Sequence, residues 1–159
     1  MSVDSQTFRK ALGCFPTGVT VVTATAADGS PLGVTISSFT SLSLEPPLVL
    51  FCLDNKNLWL DSFAKAGFFA VNVLALDQRA LSERFAGRAE DKWIGIAHEP
   101  GHGGVPVIAG SLAVLECSLE AVHPGGDHQI FVGRVQQLRV APAGRPLVHF
   151  RGAYGEIKV

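Results

Sequence analysis

A chain of 159 residues with 47% hydrophobic and 17% charged residues suits one domain around one core and lies far from disordered compositions. A formal net charge of −1 leaves no broad basic surface for nucleic acid. Cys14, Cys52 and Cys117 are widely spaced and form no CxxC pair, so a disulfide framework is not expected, and no apolar run approaches the ~20 residues of a membrane span.

Residues 4–15 have helical spacing, with Phe8, Ala11, Leu12 and Phe15 on one face, Asp4 or Ser5 as the cap and Pro16 as the stop. Val19 to Ala27 is rich in Val and Thr, Asp28-Gly29 signals a turn, and Leu32–Ile36 returns, which together predict a hairpin. A strand over Leu48–Leu53 follows Glu45-Pro46-Pro47, prolines that suit the start of a strand and not its middle. Asn57–Ala66 reads as a short helix closed by Gly67, and Phe68–Leu74 as a strand. Asp77 is the expected cap of a helix reaching about Phe85 and ended by Gly87. Residues 88–111 show no periodicity, and a connection of that length in a compact domain is usually functional or mobile. Two long strands, Leu112–Val122 and Gln129–Val140, precede a short one at Leu147–Phe150.

Six or seven strands joined mostly as hairpins, with a few short helices, predict a mainly β fold. A closed antiparallel barrel with helical cover fits better than a doubly wound sheet. A single domain over residues 1–159 follows, without internal repeats. The opening Met-Ser-Val-Asp-Ser-Gln lacks the layout of a signal peptide, and a cytoplasmic location is expected.

Several familiar strings fail on physical grounds. His98-Glu99-Pro100-Gly101-His102 spells the HExxH of zinc proteases, but interior Pro and Gly cost a helix roughly 3 and 1 kcal/mol relative to Ala, so no metal site is assigned. No G-x-G-x-x-G follows a strand, no Walker-type loop exists, and no G-x-S-x-G elbow is present.

The informative segment runs from Gly33 to Pro47, with six hydroxyl residues between positions 35 and 43 interleaved with Ile36, Phe39 and Leu42. A solvated loop explains some of the hydroxyls. The mixture with large apolar residues also suits the lining of a flat ring with polar edges.

With these residues in view, the sequence resembles the short-chain flavin reductases, the reductase partners of two-component flavin monooxygenases. The landmarks are Pro16-Thr17-Gly18-Val19-Thr20, the segment Gly33–Pro47, Phe69-Ala70-Val71-Asn72-Val73-Leu74 and Arg84-Phe85-Ala86-Gly87. Gly126-Asp127-His128, Val132-Gly133-Arg134-Val135, Pro146-Leu147-Val148 and Tyr154-Gly155 complete them. The resemblance implies a closed FMN-binding split β-barrel and a hydride transfer from NADH or NADPH to FMN or FAD. It also implies a homodimer and a flavin-dependent monooxygenase that receives the reduced flavin.

Residue by residue, the resemblance places Thr35, Ile36, Ser37, Ser38 and Ser41 along the flavin ring and ribityl chain, beside Phe51, Cys52 and Leu53. Arg84 and Phe85 match a loop near the phosphate, where a guanidinium can pair in a fork. Lys56 and Asn57 stand where the family commonly has serine or threonine, and they offer a cation and a donor instead. Asp127 and His128 match a motif close to the nicotinamide dinucleotide, with His128 in the catalytic, nicotinamide-positioning role. Tyr154 and Phe15 are candidates for aromatic packing around that dinucleotide. The competing readings are a reductase of iron, a quinone or another small acceptor, a flavin-binding electron carrier, and a structural β-barrel without flavin.

Overall fold

In the computed structural model, which describes residues 2–158, the Asp4 carboxylate accepts the Thr7 amide at 2.8 Å and starts helix α1 (Ser5–Gly13). This satisfies one of the orphan amides of the first turn. No residue of α1 is buried, and Phe8 and Leu12 are more than half exposed.

The strands that follow are β1 (Thr17–Gly18), β2 (Thr20–Thr25), β3 (Pro31–Ile36), β4 (Thr40–Ser43) and β5 (Leu48–Asp54). Helix α2 (Leu60–Ala66), β6 (Phe68–Val73) and helix α3 (Arg79–Ala86) come next. The chain ends with β7 (His98–Pro100), β8 (Pro106–Ile108), β9 (Ala113–Gly125), β10 (His128–Val140), β11 (Val148–Phe150) and β12 (Ala153–Gly155).

Several boundaries differ from expectation for local reasons. The Asn57 side chain accepts the Trp59 amide at 2.9 Å, which makes a turn of residues 57–59 and delays α2 to Leu60. Gly67 ends that helix at φ 76°, a left-handed conformation that glycine adopts without strain. Asp77 does not cap α3; a 3₁₀ turn over Leu76–Gln78 precedes the helix, and the Gln78 side chain accepts the Ala75 amide. The hydroxyl segment contains β4, the aperiodic stretch 88–111 contains the β7–β8 pair, and β12 follows β11, none of them expected. The HExxH string runs along β7 into a turn, so its two histidines share no helical face.

Seven strands form one antiparallel sheet in the order β3-β2-β6-β9-β10-β5-β4. The fold is therefore mainly β with short helices. The expected closed ladder is not found: among the described residues the hydrogen-bonded order begins at β3 and stops at β4. The curl is nevertheless strong enough that Leu32, Val34 and Ile36 of β3 share one core with Val49, Phe51 and Leu53 of β5. Where those strands meet, Ser38 joins them. Its hydroxyl donates to the Cys52 carbonyl at 3.0 Å and accepts the Cys52 amide at 2.9 Å.

Phe51 sits at the centre of this core. It stacks on Phe131 at 4.9 Å between centroids and meets Phe69 edge-on at 5.0 Å and Phe63 at 6.3 Å. Gly133 leaves room for the Phe69 ring, whose tip occupies the space a Cβ would need.

The outer face of the sheet is covered too. Buried Asn72 donates to the Val21 carbonyl at 3.0 Å and accepts the Ile108 amide at 2.9 Å, while Thr23 donates to the Pro106 carbonyl at 2.6 Å. These bonds suture β8 across β2 and β6, because a buried polar group without a partner would cost about 1–3 kcal/mol. Fully buried Glu116 accepts the His102 amide at 2.7 Å and the Arg139 Nε at 3.2 Å, and Arg139 also pairs with Glu99. The long connection 88–111 is therefore pinned along its second half.

Candidate functional site

Two turns meet at one end of the sheet. The β5–α2 turn (residues 54–59) and the β9–β10 turn are tied by Asn55, whose amide donates to the Asp127 carbonyl at 2.9 Å and whose side chain donates to the Gly126 carbonyl at 3.2 Å. Gln129 donates back to the Asn55 side chain at 3.0 Å, and His128 faces Asp54 across the ladder. The fold thus brings Lys56, Asn57, Asp127 and His128, far apart in sequence, onto one rim.

On that rim the Asp127 carboxylate meets His128 Nδ1 at 2.7 Å. This bond, helped by Lys56, holds the exposed Asp127 carboxyl below its ordinary range. Asp127 therefore fixes the imidazole ring through one nitrogen and leaves Nε2 as the one to meet a ligand.

Beside the rim lies a cavity of about 450 Å³, bounded by Lys56, Asn57 and Trp59 on one side and by Phe85, Gly87 and Arg88 on the other. Val34, Leu58, Ala86, Lys92 and the acidic Asp54 complete its lining. Lys92 is the unusual member. It is 7% exposed, its ammonium donates to the Phe85 carbonyl at a long 3.3 Å, and burial lowers its pKa from the ordinary lysine value. Among the described residues no carboxylate pairs with this buried cation, and a cavity with three cations against the single carboxylate of Asp54 suits an anion.

Other predicted residues stand elsewhere or are already occupied. The Thr35 hydroxyl donates to the Ser82 carbonyl at 2.6 Å, and Ser38 is spent on Cys52, so neither proton is offered to a ring. Ser37 and Ser41 are exposed, which makes the segment an open edge of the sheet and not an enclosed lining. Phe51 and Leu53 are 0% and 2% exposed and point into the core, as does Ile36; strand alternation sends only Cys52 outward. Phe85 is fully buried against Trp93 and is also one of the residues bounding the cavity.

Arg84 does not point to an open phosphate site. Its Nη1 donates to the Ile94 carbonyl at 2.6 Å and so ties the 88–94 loop to α3. Tyr154 shares a 2.8 Å hydrogen bond with Ser82, lies under Arg79 at 5.0 Å and packs in the cluster that contains Leu147. Phe15 is 76% exposed.

Sequence reading missed Trp59, Gly87, Arg88 and Lys92. A lysine in an aperiodic polar stretch carries no sign of burial, so nothing in the order of residues 88–94 marks Lys92 as a lining group.

The geometry accords with the comparisons. A family model described as "Flavin reductase like domain" matches residues 12–158. The reductase subunit of a flavin-dependent monooxygenase of Rhodococcus jostii is 45% identical over 157 residues, spanning 99% of this chain and 80% of that protein. An NADH-dependent FMN reductase of Agrobacterium fabrum is 48% identical over 155 residues, spanning 96% of this chain and 86% of that protein. The crystal structure of nitrilotriacetate monooxygenase component B from Mycobacterium thermoresistibile superposes with a TM-score of 0.94 at 43% identity, covering 98% of this chain and 87% of its own. With sequence, fold and a cation-lined cavity in agreement along almost the whole chain, the protein belongs to the flavin reductase-like domain family.

Proposed function

We propose that this chain is an NAD(P)H-dependent flavin reductase that passes a hydride from NADH or NADPH to FMN or FAD and supplies the reduced flavin to a partner monooxygenase. The observation that carries the reading is the cavity beside His128, whose buried Lys92 ammonium and neighbouring Lys56 and Arg88 fit a flavin phosphate. The names of its relatives, reductase subunits and flavin reductases, support the same activity.

Flavin, when bound, supplies the hydride-accepting ring; the protein's own part is binding and orientation. Lys56, Arg88 and Lys92 hold the phosphate, Asn57 adds a donor, and the exposed Ser37 and Ser41 hydroxyls border the open edge where a ring would lie. Asp127 orients His128 so that Nε2 can hydrogen-bond the nicotinamide side. Holding two rings face to face removes much of the entropic barrier to transfer.

His128→Ala is expected to lower kcat/KM for NADH about tenfold, the loss of one hydrogen bond of ordinary strength or better, while leaving flavin affinity unchanged. Unchanged NADH kinetics would remove His128 from its role. The whole reading is tested by mixing the protein with NADH and excess FMN or FAD without air. Steady bleaching of the flavin absorbance is expected; no bleaching with any of the four cofactor pairings defeats it.

The same reading favours a homodimer with a split-barrel arrangement. Phe8, Leu12 and Phe15 on or next to α1, and Leu42 and Leu44 beside the β4 edge, are all at least half exposed. A second copy covering them would bury apolar surface at about 25 cal/mol per Å². Sedimentation of the purified chain at micromolar concentration is expected to give twice the monomer mass. An exposed free thiol at Cys14 suits a reducing, cytoplasmic environment.

A further inference from the structure

The segment 88–111 serves two places in the fold. Its first half brings Arg88 and Lys92 to the cavity of about 450 Å³, where with Lys56 they stand against the single carboxylate of Asp54. Its second half is the β7–β8 pair on the outer face of the sheet. The first half has little to hold it. Lys92 is buried with only a long 3.3 Å bond to the Phe85 carbonyl, and burial disfavours its charged form, so water competes for the ammonium. Arg84 restrains the backbone through the Ile94 carbonyl at 2.6 Å, and the Ile96 amide closes a turn on the Trp93 carbonyl at 3.1 Å. The remaining restraint comes from β7.

Two neighbouring residues of that strand supply it. The His98 ring meets the Trp93 ring at 4.8 Å and 63°, and its Nδ1 lies 2.9 Å from the Ile96 carbonyl. The Glu99 carboxylate pairs with Arg139 of β10. Arg139 is itself held: its Nε donates at 3.2 Å to Glu116, which is fully buried and also accepts the His102 amide at 2.7 Å. Glu116 has no room to shift, because its carboxylate fills the space that a Cβ on Gly101 would need. A guanidinium already ordered by one carboxylate loses little further entropy on taking a second, so Glu99 docks on a preformed partner. The contacts run without a break from Glu116 through Arg139, Glu99 and His98 to Trp93 and Lys92. None of the first four lines the cavity.

We infer that the Glu99–Arg139 pair is a positioning device for the phosphate cavity: it fastens β7 to the fixed corner at Glu116, which keeps His98 against Trp93 and the Lys92 ammonium inside. The inference rests on the reading of that cavity as a phosphate site. Glu99 and Arg139 act through the loop, and neither meets the flavin. A phosphate gains Lys92 only while the loop is seated, so a variant that unseats the loop lowers the apparent affinity by the lost fraction. Desolvation of Lys92 opposes seating and makes that balance sensitive to one ion pair. A pair that served the fold alone would move the thermal midpoint and leave the affinity of the folded protein untouched.

The test is titration of the full chain and its Glu99→Ala variant with FMN and with riboflavin, which lacks the phosphate, followed by flavin fluorescence. The expected result is FMN binding weakened about two- to fivefold in Glu99→Ala, the scale of one exposed ion pair, with riboflavin binding unchanged. Glu99→Gln, which keeps the length and an acceptor, should fall between parent and Glu99→Ala, and it carries the same test should the alanine variant not fold. In a Lys92→Met background the Glu99→Ala change should have no further effect on FMN, because the group it positions is gone. Parental FMN affinity in Glu99→Ala overturns the inference. So does equal weakening of FMN and riboflavin, or the same loss with and without Lys92, since either marks a general structural effect. If the unaltered chain binds FMN no more tightly than riboflavin, the phosphate reading itself fails and the inference falls with it, an outcome distinct from the others because it needs no variant.

Discussion

Phe51→Ala is expected to destabilise the protein by about 3–5 kcal/mol, the range for removing a buried aromatic ring from a core. The ring is fully buried, stacks on Phe131 and touches two further phenyl rings. Its loss leaves a cavity lined by side chains from β5, β6, β10 and α2, elements that cannot all relax at once. For a chain of this size the thermal midpoint should drop by roughly 10 °C or more. Phe51→Leu, which restores most of the volume, should recover much of the loss. A midpoint within 3 °C of the parent for the alanine variant would show that this cluster is not the centre of the core. The same measurement bears on the site, since Phe51 acts by holding β5 and its outward Cys52 in place and not by touching a ligand.

Lys92→Met is expected to weaken flavin binding between about 10- and 100-fold, because a hydrogen bond to a charged group contributes about 1.5–3 kcal/mol. Methionine keeps the length and apolar packing of the stem and removes only the charge. Lys92 has a folded-state pKa below its unfolded value, owing to burial. The unfolded chain therefore binds more protons in the window between the two values, and stability rises with pH there. The buried charge is a cost to folding that a bound phosphate offsets. Two consequences follow from the sign. Without flavin, Lys92→Met should be no less stable than the parent at neutral pH, and any advantage it has should shrink as pH rises through the window in which the parent gains stability. Flavin affinity of the parent should fall as pH rises through the depressed pKa of the free protein, beginning below the ordinary lysine value, and this pH dependence should vanish in the variant. Titrations of flavin fluorescence across the alkaline range check both; equal affinity for parent and variant at neutral pH would remove Lys92 from the phosphate site.

The boundary between local and tertiary information runs through particular residues. Asp4 capping α1, Gly67 ending α2 and the Asp28-Gly29 hairpin are local events, decided by backbone conformations and short hydrogen bonds that neighbouring residues specify. The long strands β9 and β10 announce themselves by β-branched runs. The strand β4 does not, because its hydroxyl residues suit turns as well as ladders, and it is a strand only because β5 offers an edge to pair with.

For the site, sequence order and the family resemblance pointed to both turns of the rim, to Lys56 and Asn57 and to Asp127 and His128. They could not tell which side chains of β3 and β5 face outward, since one fold step decides that Phe51 and Leu53 enter the core while Cys52 does not. Nor could they tell that Thr35, Ser38 and Arg84 are committed to carbonyls brought near only by folding. Lys92 is the clearest case. Its charge is written in the chain, but its burial, with no carboxylate paired to it among the described residues, arises where α3, β3 and the 88–94 loop converge. Composition, periodicity and caps thus determined a mainly β domain with its helices in place. Only the packing of distant segments decided which groups are spent on the fold and which are left for a ligand, because hydrogen-bond partners and desolvation are properties of the assembled structure and not of neighbours in sequence.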